Sequence, residues 1–212
     1  MSEPVTIIHE DPGFVVVVKA SGFLSVPGRQ PQHKDCVTNR IRQRYPQCIE
    51  HPMVHRLDMD TSGLMVVALT KASQRHLSIQ FQERLPKKRY EALLDGILDA
   101  ENGTIELPFR LDVDNRPHQI YDEVHGKMGL THWRRLSVEN GQTRVCFVPV
   151  TGRTHQLRLH AAHEKGLGLP IVGDPLYGRG RGPGEMKLHA CELSFLHPVS
   201  EAPVSFSSSV PF

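Results

Sequence analysis

The sequence predicts an α+β protein built around a mixed, mainly antiparallel sheet with flanking helices. Segments with strand character outnumber those with helical period. Several neighbouring strands are joined by turn chemistry short enough for hairpins, and no βαβ alternation runs the length of the chain. The 212 residues suffice for one large domain or two small ones and can bury roughly 70% of the unfolded surface. Residues 1–212 are read as a single domain with no appended domain ahead of the first strand, where only a few residues lie.

The chain opens with a predicted hairpin: Val5–Ile8, a turn at Glu10-Asp11-Pro12-Gly13, then the apolar run Phe14–Val18. Gly22 and Ser25-Val26-Pro27-Gly28-Arg29 read as loop. Asp35 is the expected N-cap of a short helix that Pro46 terminates. The segment His55–Asp58 leads through Thr61-Ser62-Gly63 into Leu64–Leu69, which reads as a buried strand. Thr70 can cap the next helix, where Leu77, Phe81 and Leu85 recur every four residues until Pro86 stops it; that stripe is core packing.

From Tyr90 onward the pattern is mostly strand: Tyr90–Leu94, Thr104–Leu107, Thr131–Val138 and Thr143–Val150. Asn140-Gly141 has the chemistry of a type I′ hairpin turn. Thr151-Gly152-Arg153-Thr154 is expected to open a helix ending near Gly166. Gly173–Gly184 reads as a Gly/Pro-rich loop, and Lys187–Leu196 as the final strand.

Composition excludes several classes. Hydrophobic residues make up 39% and charged residues 23% of the chain, ordinary for a globular domain. Neither apolar run, Phe14–Val18 or Leu64–Leu69, comes near the about 20 residues that a membrane helix needs. The opening MSEPVTIIHEDPG has no basic n-region and carries Glu10 and Asp11 where a leader would stay apolar, so a cytoplasmic location is expected. Cys36, Cys48, Cys146 and Cys191 form no CxxC pair and read as reduced thiols. Net charge is only +2, yet cations cluster at Arg40-Arg42-Arg44, Arg84 with Lys87-Lys88-Arg89, Arg134-Arg135, Arg153-Arg158 and Arg179-Arg181. Gathered on one face, such clusters line a phosphate-binding surface; each alone is a solvated patch.

Three segments bring ionisable groups together. HRLDMDTSGL (His55–Leu64) sets Asp58 behind a basic pair and ahead of a buried strand. GRTHQLRLH (Gly152–His160) offers guanidinium groups at a helix start. KKRY (Lys87–Tyr90) puts a tyrosine behind three cations. From physics alone these are ambiguous: an Asp beside an Arg is most often a structural ion pair, and a Tyr at a strand start is most often packing.

HRLDMDTSGL closely resembles the catalytic motif of the RluA family of RNA pseudouridine synthases. KKRY, GKMGLTHW (Gly126–Trp133), GRTHQLRLH, IVGDPLYG (Ile171–Gly178) and KLHA (Lys187–Ala190) follow in family order. Six matches in sequence are very specific. DNRPHQ and SVPGR look most like the RluA subgroup, which implies dual specificity for a tRNA anticodon stem-loop and a 23S rRNA hairpin. Two departures stand out. Ala20 replaces the usual proline in Val18-Lys19-Ala20-Ser21-Gly22, and Gly129 sits where alanine is common.

The resemblance implies a sheet split by an RNA-binding cleft holding Asp58 as the essential carboxylate, with Tyr90 and Arg158 as the other catalytic residues. The carboxylate can attack C1′ or C6 of the uridine, or take the C2′ proton. A facing Arg158 would hold it ionised and in position. Tyr90 would contact the uracil and relay the C5 proton, and Leu188 would floor the ring. Arg56 would fill the stack that a flipped nucleotide vacates. Lys87, Lys88 and Arg153 would hold phosphates. The implied partner is RNA, bound by a monomer, with no cofactor and no metal.

Asp60 reads as a solvated turn residue. The thirteen histidines invite a metal reading at Cys48, His51 and His55, or at His155, His160 and His163, but neither set has closed zinc spacing. The loop Gly173–Gly184 lacks a phosphate-loop pattern. A family member acting on a different RNA, a non-catalytic RNA chaperone and a metal-dependent hydrolase are the competing readings.

Overall fold

The first hairpin forms where the β-branched run demands it. In the computed structural model, which describes residues 3–28, 30 and 33–212, β1 (Val5–Glu10) pairs antiparallel with β2 (Phe14–Lys19). The Asp11 amide donates to the Phe14 carbonyl and the Asp11 carboxylate accepts from the Gly13 amide, which closes the turn. Arg29, expected in a loop, lies outside the described residues. The chain divides into two units, Met1–Lys88 with His189–Pro211, and Arg89–Leu188 with Phe212.

In the first unit β2 pairs antiparallel with β3 (Ser62–Ala68), and β3 runs parallel to β9 (Leu188–Leu196) through Ser62↔His189 and Gly63↔Ala190. β10 (Pro203–Ser207) then pairs antiparallel with β9. Lys187–Leu196 is therefore not the last strand, as the sequence suggested; the alternating β10 is too short and half-exposed to stand out. All seven residues of β3 are buried, which explains its continuous apolar run. Phe14, Val16, Leu64, Val66 and Leu77 form the core with Leu193 and Phe195, each large apolar side chain contributing about 2–3 kcal/mol.

Helix α1 (Val37–Arg44) is capped by Cys36, not Asp35; the Asp35 carboxylate is drawn instead into a two-point pair with Arg40 at 2.8 Å. Helix α2 (Lys71–Gln82) begins as expected, with the Thr70 hydroxyl accepting from the Ser73 amide. It stops before Leu85. Arg84 enters left-handed backbone (φ 61°), and Leu85 is half exposed at 51%, outside both helix and core.

The second unit is an antiparallel sheet in the order β4 (Lys87–Leu94), β8 (Gln142–Pro149), β7 (Lys127–Glu139), β5 (Asn102–Leu111) and β6 (Gln119–Tyr121). Asn140 and Gly141 both have positive φ, 53° and 74°, as a type I′ turn requires. The strand β6 has only three residues and gives no periodic signal. Helix α3 (Gln156–Ala162) is shorter than expected and starts later. Thr151–Arg153 are irregular, Thr154 and His155 form a turn, and His155 is the left-handed N-cap (φ 55°). The core joins Phe109, Trp133, Phe147, Leu157, Leu159 and Ile171. Among the described residues no helix is long and apolar enough to cross a membrane.

Gly63 is where β3 meets β9. Its φ is 115°, and an added Cβ would lie 2.4 Å from the Ala190 carbonyl oxygen and 2.5 Å from the Ala190 nitrogen. Backbone cannot swing aside as a flexible side chain can, so Gly63→Ala should destabilise the protein by about 2–4 kcal/mol. Urea unfolding measures this; a loss below about 0.5 kcal/mol, the size of an ordinary surface change, would show that the two strands part readily.

Candidate active site

Asp58 sits on an irregular stretch between a bend at Val54-His55 and a turn at Met59-Asp60, where backbone carbonyls have no ladder partner and need donors from elsewhere. One short segment supplies most of them. Ser25 Oγ donates to the Leu57 carbonyl at 2.6 Å, Lys19 Nζ to that of Met59 at 2.8 Å, and Ser21 Oγ to that of Asp60. The Asp58 carbonyl accepts from the Thr61 amide at 3.2 Å, closing the turn on itself. Four successive carbonyls are thus bonded, three of them by side chains from residues 19–25.

Lys19 is the unforeseen member. It is fully buried at the end of β2, and its ammonium also donates to the carbonyls of Ala20 and Phe23 at 2.9 and 2.7 Å. Burial pulls its pKa down to about 7, against the opposing pull of the Asp58 and Asp60 carboxylates. The sequence signal was a lysine closing a run of valines. Asp60, expected to be solvated, is only 4% exposed; the clamp on its carbonyl draws the whole turn inward. Ala20 also gains a rationale: its amide donates to the Pro4 carbonyl at 2.9 Å, a bond that proline cannot make.

β3 begins just past this turn. Ser62 Oγ and His189 Nδ1 lie 2.8 Å apart, and His189 Nε2 lies 3.0 Å from Ser208 Oγ. His55 Nε2 accepts from the Val66 amide at 3.0 Å while its ring stacks on Phe81 at 4.4 Å. Burial, then the Lys88 charge, holds its pKa down at about 3. Of the expected RNA contacts in this unit, Arg56 and Lys87 are exposed, whereas Lys88 is half-buried and its pKa is lowered by burial.

The second unit holds Tyr90, Arg153, Arg158 and Leu188. Tyr90 packs half-buried on β4 against the core, and Leu188 is a core residue. Arg158, 2% exposed on α3, forms a two-point ion pair with Asp174: Nε to Oδ2 at 2.9 Å and Nη2 to Oδ1 at 2.6 Å. Burial alone would raise the Asp174 carboxyl. The Arg158 guanidinium and the amides of Leu176 and Tyr177 outweigh it and leave the carboxyl below its ordinary value. Asp174 was missed, although an Asp followed by Pro in a Gly-rich loop is a turn-forming signal.

Gln156 fixes the start of α3. Its Oε1 accepts from Thr151 Oγ1 and the Arg153 amide, and its Nε2 donates to the Leu130 carbonyl and Thr131 Oγ1. Arg153 turns its Nε to the Met128 carbonyl at 2.8 Å. His155 Nδ1 lies 2.9 Å from the Tyr177 hydroxyl, and His163 Nδ1 accepts from the Lys165 amide. His160 is fully buried with neither ring nitrogen hydrogen-bonded, and burial depresses its pKa to about 4. A Cβ at Gly129 would lie 2.8 Å from His160 Nε2 and 2.6 Å from Phe109 Cε1, so alanine would crowd both rings. Among the described residues no group of three or more His, Cys, Asp or Glu is arranged to hold a metal.

A sequence profile of the RNA pseudouridylate synthase family matches residues 13–163. The chain belongs to that family: it is a pseudouridine synthase, an isomerase acting on RNA. It is 44% identical over 210 residues to the dual-specificity RNA pseudouridine synthase RluA of Pasteurella multocida, covering 97% of this chain and 93% of that protein. The protein of the same name from Escherichia coli K12 is 43% identical over 211 residues, with the same coverage. Among solved structures, human RNA pseudouridylate synthase domain containing 1 superposes with a TM-score of 0.76 at 31% identity, over 98% of this chain and 84% of that one. Human RNA pseudouridylate synthase domain containing 4 shares the fold, with a TM-score of 0.74 at 23% identity over 97% of this chain and 88% of that one.

Two predictions follow from these buried groups. Lys19→Met strips the donor from three carbonyls, so it should cost about 2–4 kcal/mol of stability and slow isomerisation by loosening the Asp58 turn. Denaturant unfolding and single-turnover rates check both; a variant as stable and fast as the parent would remove Lys19 from the account.

The second concerns acid. His160 and His189 have folded-state values near 4, below the ordinary 6.5. Between these limits the unfolded chain takes up protons and the folded one does not, so stability is whole above about pH 6.5 and falls toward pH 4. His160→Leu should flatten that slope by up to about 1.4 kcal/mol per pH unit, one proton's worth. Unfolding at a series of pH values reads the slope directly. If it does not change, His160 is not among the groups that titrate.

Proposed function

We propose that this protein isomerises a uridine in a 23S rRNA hairpin, in a tRNA anticodon stem-loop, or in both, with Asp58 as the essential carboxylate. The observation that carries the reading is the clamp on the Asp58 turn, where all four carbonyls from Leu57 to Asp60 are bonded. A reacting carboxylate gains from such pre-organisation. The substrate assignment rests on the motif order from HRLDMDTSGL to KLHA and on the dual-specificity relatives.

The reaction breaks the N1–C1′ bond, turns the uracil and forms C5–C1′. C5 loses a proton and N1 gains one, so atoms and electrons balance within the substrate and no cofactor is called for. Asp58 attacks C1′ or C6, or removes the C2′ proton. Tyr90 relays the C5 proton, Arg158 keeps the carboxylate charged and aimed, and Leu188 floors the ring. Arg56, exposed beside Asp58 in sequence, fills the vacated stack. Lys87, Lys88 and Arg153 hold phosphates, positioning the RNA without reading it. Residues 1–212 act as one catalytic domain in a cytoplasmic monomer.

Asp58→Asn keeps the shape and removes the reactive group. Isomerisation should be abolished while RNA affinity stays within about threefold of the parent, since affinity rests mainly on phosphate contacts. Residual turnover within about tenfold of the parent would contradict the role, because losing a catalytic group costs more than that. Mapping pseudouridines in 23S rRNA and tRNA from cells lacking the protein, or carrying only Asp58→Asn, tests the substrates; retention of every site in both RNAs would refute the assignment.

A further inference from the structure

We infer that Asp174 is a positioning residue for the reaction, fixing the direction in which Arg158 presents its guanidinium. The inference rests on the proposed catalytic role of Arg158. It gives the Gly/Pro-rich loop after Ile171 a task, although that loop has no phosphate-cradle pattern.

A guanidinium has five N–H donors spread along two edges. Asp174 takes the Nε edge at 2.9 and 2.6 Å, so Nη1 and the second N–H of Nη2 lie outside the pair. A long, flexible side chain is thereby locked into one orientation, with a defined edge presented away from its anchor. The pair is almost wholly buried, 2% and 0% exposed, so the carboxylate also meets the need of a sheltered cation for a counter-charge.

The anchor is itself fixed from several directions. Asp174 Oδ1 accepts from the amides of Leu176 and Tyr177 at 2.8 and 3.1 Å. Its carbonyl accepts from the amides of Gly178 and Gly180, and its own amide donates to the Ile171 carbonyl. Gly173, just before it, has φ 75° and lies so close to the next turn of the loop that a Cβ would sit 2.2 Å from the Glu185 carbonyl oxygen. The Tyr177 ring lies 5.4 Å from the guanidinium carbon, and its hydroxyl accepts from the Gln119 amide at 2.7 Å and lies 2.9 Å from His155 Nδ1. Loop, strand β6 and the cap of α3 therefore converge on one ion pair. An Asp aimed by so many backbone contacts at one guanidinium suits precise placement of a reacting partner.

A purely structural ion pair predicts lost stability without a selective effect on the chemical step. A positioning pair predicts more. Asp174→Asn keeps size and removes the second acceptor and the charge, so Arg158 tilts; a displacement near 1 Å costs on the order of 10²-fold in rate. Single-turnover rates at saturating RNA should fall by that order, while RNA affinity stays within about threefold. Asp174→Glu, which retains the charge one methylene further out, should fall between the parent and Asp174→Asn. Because both residues act through one guanidinium, adding Asp174→Asn to Arg158→Ala should slow the enzyme no more than about twofold further.

The measurements use the full chain on a stem-loop RNA, with folding of each variant checked by circular dichroism. A parental rate in folded Asp174→Asn, or losses that multiply in the double variant, would overturn the inference. If Asp174→Asn does not fold, Asp174→Glu carries the test, and parental rate and affinity there overturn it equally. A parental rate in Arg158→Ala is a different failure: it removes Arg158 from catalysis, and the positioning role goes with it.

Discussion

A buried ammonium organises the turn that bears Asp58. Taking a lysine out of water costs several kcal/mol, and nothing in a run of valines prepares for it. The cost is offset because Lys19 Nζ finds three carbonyl acceptors between 2.7 and 2.9 Å and two carboxylates nearby. Those acceptors come from residues 20, 23 and 59, so one side chain ties the end of β2 to a turn forty positions away. The turn is irregular: its own backbone bonds the Asp58 carbonyl, and side chains of residues 19–25 serve those of Leu57, Met59 and Asp60. Burial of Asp60, the placement of Asp58 and the entry into β3 all follow from that tie.

The second unit solves the same problem with different groups. Helix α3 starts late and through a left-handed His155, leaving polar groups that no helical ladder serves. Gln156 serves two of them, Thr151 Oγ1 and the Arg153 amide, and ties them to the Leu130 carbonyl and Thr131 Oγ1 on β7, and Asp174 neutralises the buried Arg158. In both units the regular strands provide the frame. The Asp58 turn and the approach to α3 are irregular backbone, held by side-chain hydrogen bonds that are costly to leave unmade.

The basic clusters are less uniform than their sequence suggests. Arg40 pairs with Asp35, Arg44 with Glu10 and Arg135 with Glu101. Exposed pairs of this kind are weak and readily exchanged for other partners. Arg56 and Lys87, on either side of the β3–α2 segment, are exposed as well.

The sequence by itself determined what depends on neighbours along the chain. The apolar runs at Phe14–Val18 and Leu64–Ala68 are strands because β-branched residues pack on a pleated, doubly buried surface. Asn140-Gly141 turns because both residues tolerate positive φ, and Thr70 caps because its hydroxyl reaches an amide three residues on. The motif around Asp58 was legible for the same reason: it is contiguous. Tertiary structure alone decided what depends on residues far apart. Leu85 continues a four-residue stripe, yet the backbone reverses at Arg84 and leaves it outside. Asp35 has capping chemistry, but Arg40 offers its carboxylate a better partner. Asp60 is buried because Ser21 and Lys19 pull its turn inward, and Asp174 matters because folding sets it against Arg158. Charge and hydrogen-bonding capacity are written in the sequence; which donor meets which acceptor is fixed only when desolvation forces each buried polar group to find one.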